Sequence, residues 1–253
     1  MKPRFVSPPA NLYSSGQYYG RFATYSQYNY LRPGIIARLK RRRFEVALSL
    51  AGEYLGQGAI DFGCADGIFL PSLSMHFSSV VGIEARPESC ALAASVASAL
   101  KLANTRVVCN ADLSMEQLRQ EIAGGYRILF LLEVLEQVGR SPATMYQDKI
   151  TFLQDLFSLL SSGGVIIASV ARMTGPLFVA KIAIQKVTGM DVERMSLREV
   201  LAAGIGRTAS VEPRWQNGHL GFNENLLLSH LRKHFIVKPH PTLTSIFYVI
   251  SSR

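Results

Sequence analysis

The sequence is poor in cysteine, has no long apolar run and, over residues 1–44, contains no acidic residue. Its three cysteines, Cys64, Cys90 and Cys109, are odd in number and lack a CxxC spacing. This usage disfavours a disulfide framework and a zinc site, and it makes a reducing cytoplasm the expected compartment. No uncharged apolar stretch reaches the roughly 18 residues of a membrane-spanning helix. The N-terminal segment carries charge but no apolar core, so a secretory signal is not expected.

The composition indicates a folded chain. Of the 253 residues, 48% are hydrophobic and 18% are charged, which is enough apolar material for a substantial core. The length suits one sizeable α/β domain with an appendage, or at most two small domains. The histidines show no metal-ligand spacing, so no metal site is predicted.

The net charge of +9 is located at one end of the chain. Residues 1–44 hold nine of the 27 basic residues, and the remaining 18 are balanced by 18 acidic residues. Six of the ten tyrosines also lie in this segment. Residues 1–44 are therefore predicted to form a basic, tyrosine-rich arm and the start of the first helix. Its first 34 residues are expected to be extended or loop-rich because proline and glycine punctuate them.

From residue 45 onward, apolar strands alternate with helices. Strands are predicted at 59–62, 80–83, 106–109, 128–132 and 165–170, and helices at 35–55, 87–101, 146–160 and about 223–233. This alternation predicts a parallel sheet covered by helices on both faces. The last 20 residues read as two β-rich runs with a short proline-containing turn, which predicts an antiparallel hairpin. An insertion at about 172–213 interrupts the pattern; it is either a lid or substrate-binding segment, or an ordinary amphipathic helix on the sheet.

The strongest local signal is the segment AIDFGCADGIFL at 59–70, in which a strand ends at an acid and a glycine-rich bend leads into a helix. Glycines let the backbone turn sharply and let a ligand approach the helix. The spacing is G-x-x-x-G and the bend has no lysine, which excludes a P-loop. Glu84 ends the second strand 23 residues after Asp61, where an open α/β fold places an acid against ribose hydroxyls.

The charge of the bend favours a cationic ligand. Asp61 and Asp66 flank the turn and would repel a diphosphate, as found in NAD. S-adenosylmethionine has a sulfonium, an α-ammonium and a ribose but no phosphate. Electrostatics therefore favour S-adenosylmethionine over a dinucleotide.

Three segments resemble the class I S-adenosylmethionine-dependent methyltransferases. D-F-G-C-A-D-G at 61–67 is similar to their first motif, D-x-G-x-G-x-G, with Ala65 in place of the middle glycine. LLEVLEQV at 131–138 is similar to the segment after the fourth strand in the quinone-biosynthesis-like (type 11), small-molecule branch. Gln137 stands there where many relatives have histidine. GHLGFNENLL at 218–227 resembles the entry to the last helix. The resemblance covers roughly 45–171 and 218–253.

This resemblance implies a Rossmann-like, seven-stranded, mostly parallel sheet of order 3-2-1-4-5-7-6 with an antiparallel last hairpin. It also implies that the bend lies along the methionine part of the cofactor, that Glu84 holds the ribose, that Asp112 and Leu113 meet the adenine, and that Leu132 and Glu133 flank the sulfonium. The cofactor-binding residues implied in this way are Asp61, Gly63, Cys64, Ala65, Gly67, Glu84, Ala85, Asp112, Leu113, Leu132 and Glu133.

The expected activity is methyl transfer to a small acceptor. An anionic acceptor would suit the basic arm. Alternatives are methyl transfer to RNA or another macromolecule and, less favoured, a Rossmann NAD(P)-binding oxidoreductase. Alignment of the reactants can supply on the order of 7–11 kcal/mol, so a general base is optional. The candidates for that base are Glu133, His219 and one of Tyr18 or Tyr19. Glu136, in the same turn as Glu133, could be a surface acid. The sequence predicts neither the acceptor nor the oligomeric state.

Three interpretations of the N-terminal arm stay open. The favoured one is a lid over the active site, with Tyr18, Tyr19 and Tyr25 as wall residues of the acceptor pocket. The arm could instead hold an anionic acceptor, because mixed tyrosine and arginine suit stacking and anion binding. In the third, Arg41–Arg43 form a solvated helix face drawn to an anionic membrane surface. No recognised RNA-binding module is present, so nucleic acid is a less favoured partner.

Overall fold

The computed structural model describes residues 3–14, 24–122, 124–187 and 195–253. The strands formed by these residues are β1 (Gly58–Phe62), β2 (Ser79–Glu84), β3 (Thr105–Cys109), β4 (Tyr126–Leu132), β5 (Val165–Ala171), β6 (Ile236–Pro241) and β7 (Ser245–Ser251). The α-helices are α1 (Ile35–Leu50), α2 (Leu70–His76), α3 (Pro87–Ala99), α4 (Met115–Ile122), α5 (Met145–Phe157), α6 (Pro176–Val187), α7 (Leu197–Gly204) and α8 (Glu224–His234).

The seven strands form one sheet of order β3-β2-β1-β4-β5-β7-β6. β1 is parallel to β2 and β4, β2 is parallel to β3, and β6 and β7 pair antiparallel. Every residue of β1 and β5 is buried, because helices cover both faces of a parallel sheet. The predicted fold class and strand order are confirmed.

Two predicted segments differ in their helical content. α4 was not predicted from the sequence. Only two of its eight residues, Leu118 and Ile122, are buried in the structure, so its apolar pattern is weak. The insertion after β5 contains two helices, α6 and α7, whereas one of the two interpretations of the sequence predicted a single amphipathic helix on the sheet. A capping box starts α7: the Ser196 side chain accepts from Glu199 N, and the Glu199 carboxylate accepts from Ser196 N.

The described residues of the N-terminal arm form turns that the sequence does not predict. Its described residues include a 3₁₀ turn at Ala10–Tyr13 and a π-helical turn at Gln27–Leu31. Tyr13 and Tyr30 are both buried. The proline and glycine spacing indicated a loop-rich segment, but burial of these rings fixes local turns that propensity does not predict.

The chain divides into two compact units, residues 1–131 with 157–167 and residues 132–156 with 168–253. An aromatic row runs through the first unit: Phe44 stacks on Phe69 with ring centroids 4.7 Å apart, and Phe69 meets Phe130 edge-on at 5.4 Å. In the second unit, Trp215, Phe222 and Tyr248 are buried. Within the described residues, no helix is long and apolar enough to cross a membrane.

Candidate functional site

The glycine bend after β1 is a tight turn held against the end of β2. Gly63 and Gly67 have φ values of 79° and 80°, and Ala65 between them has a φ of 49°. The N–H groups of Gly63 and Cys64 both donate to the carbonyl of Ile83, at 2.8 and 3.0 Å. Glycine suits the left-handed backbone at the first two positions, and Ala65 adopts the same region at a small steric cost.

Gly67 also allows a helix to approach the bend. A Cβ at this position would lie 3.0 Å from the Cα of Ala93 in α3. Any side chain there would push α3 away from the turn. The requirement for glycine at this position thus has two causes, the backbone angle and the close packing.

Glu84 connects three segments at the ends of β1, β2 and β3. Its carboxylate accepts from the N–H of Ala65 in the bend at 2.8 Å and from the N–H of Arg86, before α3, at 3.0 Å. Its carbonyl accepts from Asn110 N, just beyond β3, at 3.0 Å. The side chain is buried, and Nε of Arg86 lies 3.4 Å from Oε1. Glu84 therefore shapes the bend itself, a role that the sequence did not indicate.

Asp61 is a buried acid below this bend. Burial, followed by the nearby charge of Glu84, raises the pKa of Asp61 to about 7. A carboxylate in such surroundings ionises at a cost, because water is excluded and a like charge is near. A cation bound beside it would remove that cost. The electrostatics of the bend thus favour a positively charged ligand.

Asp66 has a different partner from the one the sequence indicated. Its carboxylate accepts from the N–H of Ser26, at 2.7 Å, and from the Ser26 hydroxyl. Burial raises the pKa of Asp66, and the bonds from Ser26 oppose that shift. The acid that was expected to face a cationic ligand instead fastens the N-terminal arm to the bend.

The turn after β3 lies beside Glu84. The N–H of Leu113 donates to the carbonyl of Asn110 at 3.3 Å, and the Asp112 side chain is exposed. The Oδ1 atom of Asn110 is buried without a hydrogen-bond partner among the described residues. A buried acceptor normally has a donor. Asn110 was missed from the sequence, where a lone asparagine after a strand has no distinctive signal.

Glu133 lies in the second unit, directly after β4. It has a φ of 59°, and its N–H donates to the carbonyl of Ser169 at 2.9 Å. Its Oε1 accepts from the hydroxyl of Ser245 at 3.1 Å and from that of Ser169 at 3.4 Å. A non-glycine residue in this backbone region is uncommon and is held in place by its surroundings. The carboxylate of this predicted site residue thus has a defined position.

Glu136 and His219 form a close pair of side chains in the same unit. The sequence suggested that Glu136 could be a surface acid, but this was wrong, because its side chain is fully buried. Its Oε1 accepts from the N–H of Ala171 at 2.7 Å and lies 3.6 Å from Nδ1 of His219, within ion-pair distance. His219 is about 40% exposed although its Nδ1 is buried. The ring therefore presents one nitrogen to a buried acid.

The buried side chain of Lys149 lies near Glu136. Nζ of Lys149 donates to the carbonyl of Val138 and lies 4.6 Å from the centroid of the Trp215 ring. Burial lowers the pKa of Lys149 to about 8, while the charge of Glu136 acts in the opposite direction. Nε1 of Trp215 donates to the carbonyl of Glu136 at 3.1 Å. These contacts fix the turn that carries Glu136.

The structure brings together the predicted residues of the bend and of the β2 end in the first unit. Leu132 and Glu133 lie in the second unit with His219. Tyr25 is half-buried and packs edge-on against Tyr30 at 5.9 Å, whereas Tyr18 and Tyr19 lie outside the described residues. Among the described residues, no group of three or more His, Cys, Asp or Glu side chains could hold a metal ion.

The basic residues of α1 contact the arm. Nη1 of Arg41 donates to the carbonyl of Tyr30 at 3.1 Å, and the Arg43 guanidinium lies 5.8 Å from the Tyr30 ring. Arg42 between them is exposed. Arg41 and Arg43 are half-buried, so Arg42 is the most exposed of the three.

Comparison with known proteins gives structural likeness without sequence likeness. No family model and no curated protein matches the sequence. The N-methyltransferase NodS from Bradyrhizobium japonicum WM9 is 14% identical with a TM-score of 0.51, covering 85% of this chain and 97% of its own. Magnesium protoporphyrin IX methyltransferase (ChlM) from Synechocystis PCC 6803, solved with bound SAH, is 16% identical with a TM-score of 0.52, covering 96% and 92%. The PH0226 protein from Pyrococcus horikoshii OT3 is 12% identical with a TM-score of 0.56, covering 90% and 96%. The fold is that of the class I S-adenosylmethionine-dependent methyltransferases.

Proposed function

We propose that this protein is a methyltransferase that uses S-adenosylmethionine to methylate a small acceptor. The observation that carries the proposal is a pair of buried, interacting carboxylates, Asp61 in β1 and Glu84 at the end of β2, which lie beside the glycine bend. Such a pair attracts an ammonium group and repels a diphosphate. NodS and ChlM are methyltransferases by name, and ChlM was solved with bound SAH.

The residues of the first unit suit this cofactor. Asp61 would face the ammonium group. Oε1 of Glu84 already accepts from two N–H groups of Arg86, whereas Oε2 accepts from the N–H of Ala65 and can take a further bond from a ribose hydroxyl. The unpartnered Oδ1 of Asn110 would accept from the adenine amino group. When bound, S-adenosylmethionine supplies a methyl group on a sulfonium, and the leaving group is a neutral thioether.

His219 is the group we propose to take a proton from the acceptor. Its Nδ1 is buried and lies near the acid Glu136, whereas about 40% of the side chain is exposed to solvent. A carboxylate behind an imidazole orients the ring and stabilises the charge that appears when the other nitrogen takes a proton. Glu136 is then a positioning residue. Glu133, held by two serine hydroxyls, is the alternative base.

The neighbours NodS and ChlM are named for N-methyl transfer and for magnesium protoporphyrin methylation, which supports a small-molecule acceptor. We further propose that the N-terminal arm covers the active site as a lid, and that Tyr25 contributes to its wall. The bonds from Ser26 to Asp66 support this placement because they join the arm to the bend.

Equilibrium binding tests the cofactor assignment. Isothermal titration of the full chain with S-adenosylhomocysteine should give a micromolar Kd, and NADH and NADPH should give no heat. Asp61→Asn should weaken binding by about tenfold or more, because a charged hydrogen bond contributes about 1.5–3 kcal/mol. Glu84→Gln should weaken it as well, whereas Asp112→Asn, at an exposed acid beside the predicted adenine subsite, should have a smaller effect. Binding of a dinucleotide instead would overturn the assignment.

Acceptor screening tests the proposed base. Small acceptors with hydroxyl, carboxyl or amine groups are incubated with S-adenosylmethionine, and release of S-adenosylhomocysteine is measured. With an active acceptor, His219→Gln should lower kcat by about 100-fold or more at an unchanged cofactor Kd. Glu136→Gln should lower kcat less and displace its pH profile, which a purely structural role would not do. His234→Gln, at an exposed histidine at the end of α8, is the matched control. An unchanged kcat in His219→Gln would exclude this base.

A further inference from the structure

All three cysteines lie near the carboxyl ends of the first three strands. Cys64 is in the glycine bend, Cys90 is in the first turn of α3, and Cys109 is the last residue of β3. All three are free thiols. Cys109 is the direct partner of Glu84 in the parallel pairing of β2 with β3. Nothing in the proposed methyl transfer uses a thiol in this position.

Cys90 and Cys109 differ in exposure and lie on two elements that pack against each other, since α3 carries Cys90 and contacts β3, which ends at Cys109. Cys109 is exposed, whereas Cys90 is buried with a residual exposure of 7%. Burial, then the charge of Cys109 and a hydrogen bond with its side chain, raise the pKa of Cys90 to about 11. Cys90 therefore stays protonated at neutral pH and can donate its S–H to Cys109. Cys109 therefore faces solvent, and the buried thiol of Cys90 lies close to it.

We propose that Cys90 and Cys109 are a redox-sensitive pair that a peroxide converts to a disulfide beside the strand end carrying Glu84. Hydrogen peroxide oxidises the Cys109 sulfur to a sulfenic acid and releases one water. The Cys90 sulfur then attacks that sulfur and displaces its hydroxyl as a second water. Two S–H bonds and the peroxide O–O bond are lost, and one S–S bond forms. The two thiols supply the two electrons that the peroxide takes up.

Cys64 is the competing partner for Cys90, and its surroundings disfavour it. It has a residual exposure of 4%, and burial, followed by the charges of Asp61 and Glu84, raises the pKa of its thiol well above the usual value. Its Sγ is directed to the carbonyl of Ala65, at 3.9 Å. A peroxide reaches exposed thiols before buried ones. Oxidation is therefore expected to begin at Cys109.

The disulfide would act on the bend through Glu84. Cys90 N donates to the carbonyl of Arg86 at 2.9 Å, and Arg86 N donates to the Glu84 carboxylate. Closing the bond from contact distance to about 2.05 Å draws this segment toward the end of β3. On the proposed function, this should weaken cofactor binding by about fivefold or more, a typical coupling between sites. By the same linkage, bound cofactor should make the disulfide about fivefold less favourable at equilibrium with a dithiol buffer.

Peptide mapping tests the disulfide independently of any activity. The reduced full chain is treated with hydrogen peroxide, alkylated, digested without reductant and analysed by mass spectrometry. The expected product is a peptide pair linked through Cys90 and Cys109, which dithiothreitol separates. A link between Cys64 and Cys90, or oxidation of Cys109 to a sulfinic acid without any link, would overturn the proposal.

Single variants assign the two roles. Cys90→Ser should remove the disulfide and let Cys109 proceed to sulfinic acid, because no thiol resolves the sulfenic acid. Cys109→Ser should leave Cys90 reduced at peroxide doses that oxidise the wild type. Cys64→Ser, the matched control, should still form the disulfide.

Titration with S-adenosylhomocysteine before and after oxidation then separates this proposal from the proposed function. A disulfide that forms while neither state binds S-adenosylhomocysteine would remove the methyltransferase assignment and keep the thiol pair. Binding by the reduced protein, with no disulfide after peroxide, would do the reverse. Equal affinities in the two states would overturn the predicted coupling to Glu84.

Discussion

At the scale of single residues, the acids of the first unit illustrate a conflict between stability and binding. Asp61 is ionised only at a cost in the folded protein, since burial and Glu84 raise its pKa to about 7. A residue that served only the fold would be expected to be neutral or paired at this depth. An acid kept in unfavourable surroundings is typical of a binding or catalytic position.

The pH dependence of stability checks this interpretation of Asp61. A folded pKa raised above the unfolded value contributes stability at low pH, and this stability is lost as the pH rises from about 4 to about 7. Asp61→Asn has no such loss. The free energy of unfolding of the variant should therefore exceed that of the wild type increasingly over this range, by up to about 1.4 kcal/mol per pH unit.

Urea unfolding of the ligand-free protein at several pH values gives this difference. The difference should be largest at about pH 8 and smallest at about pH 4. Asp112→Asn, which changes an exposed acid, should follow the wild type. A difference that does not vary with pH would mean that Asp61 is not held in its neutral form by burial.

At the scale of elements, the turn before α8 places His219 by means of one glycine. Gly221 has a φ of 81°, and a Cβ there would lie 2.6 Å from the carbonyl of Val211 and 2.9 Å from the N of Trp215. Gly218, three residues earlier, has only open space around it, with nothing nearer than 3.8 Å. The two glycines flank the same histidine, yet only one is required by the structure.

Alanine substitution separates the two glycines. Gly221→Ala should lower the free energy of unfolding by more than about 2 kcal/mol, since the left-handed backbone alone costs about 1–2 kcal/mol and backbone atoms block the Cβ. Gly218→Ala should stay within about 0.5 kcal/mol of the wild type. Thermal or urea unfolding measures both. A stable Gly221→Ala protein would show that the turn relaxes freely and does not fix His219.

The elements also show what the sequence could and could not predict. β1, β4 and β5 are apolar runs that alternate with helices, so the strands and their parallel pairing could be predicted from the sequence pattern. The acids Asp61 and Glu84 followed from their place at strand ends. Glu136 was misjudged because burial of its carboxylate depends on the N–H of Ala171, 35 residues away. Contacts of this kind are made by tertiary packing, which no local pattern encodes.

At the scale of the whole molecule, the basic arm is a structural part of the chain as well as a charged one. The net positive charge of the protein comes from its first 44 residues, yet several of these cations contact other residues of the same segment. Lys40 donates to Asn29, and Arg32 lies 4.9 Å from the centroid of the Tyr28 ring. The arm also contributes two buried tyrosine rings to the first unit. Charge alone would have suggested a solvated appendage.

Removing residues 1–34 should consequently destabilise the protein. The deletion takes away the buried side chains of Tyr13 and Tyr30, and burial of each large apolar side chain contributes roughly 1.5–3 kcal/mol. It also exposes Phe44, whose ring stacks on Phe5 and packs on Tyr30. We expect the urea midpoint to fall by an amount equivalent to at least about 3 kcal/mol, or the truncated chain to be insoluble.

The matched control keeps the arm and changes its charge. Arg42→Glu alters an exposed residue of α1 by two charge units, and stability should stay within about 0.5 kcal/mol of the wild type. Asp66→Asn, which weakens the bonds from Ser26, should lie between the control and the deletion, because it loosens one attachment and leaves the rings buried. If the truncated chain unfolds at the wild-type midpoint, the buried rings do not support the first unit, and the arm is an appendage after all.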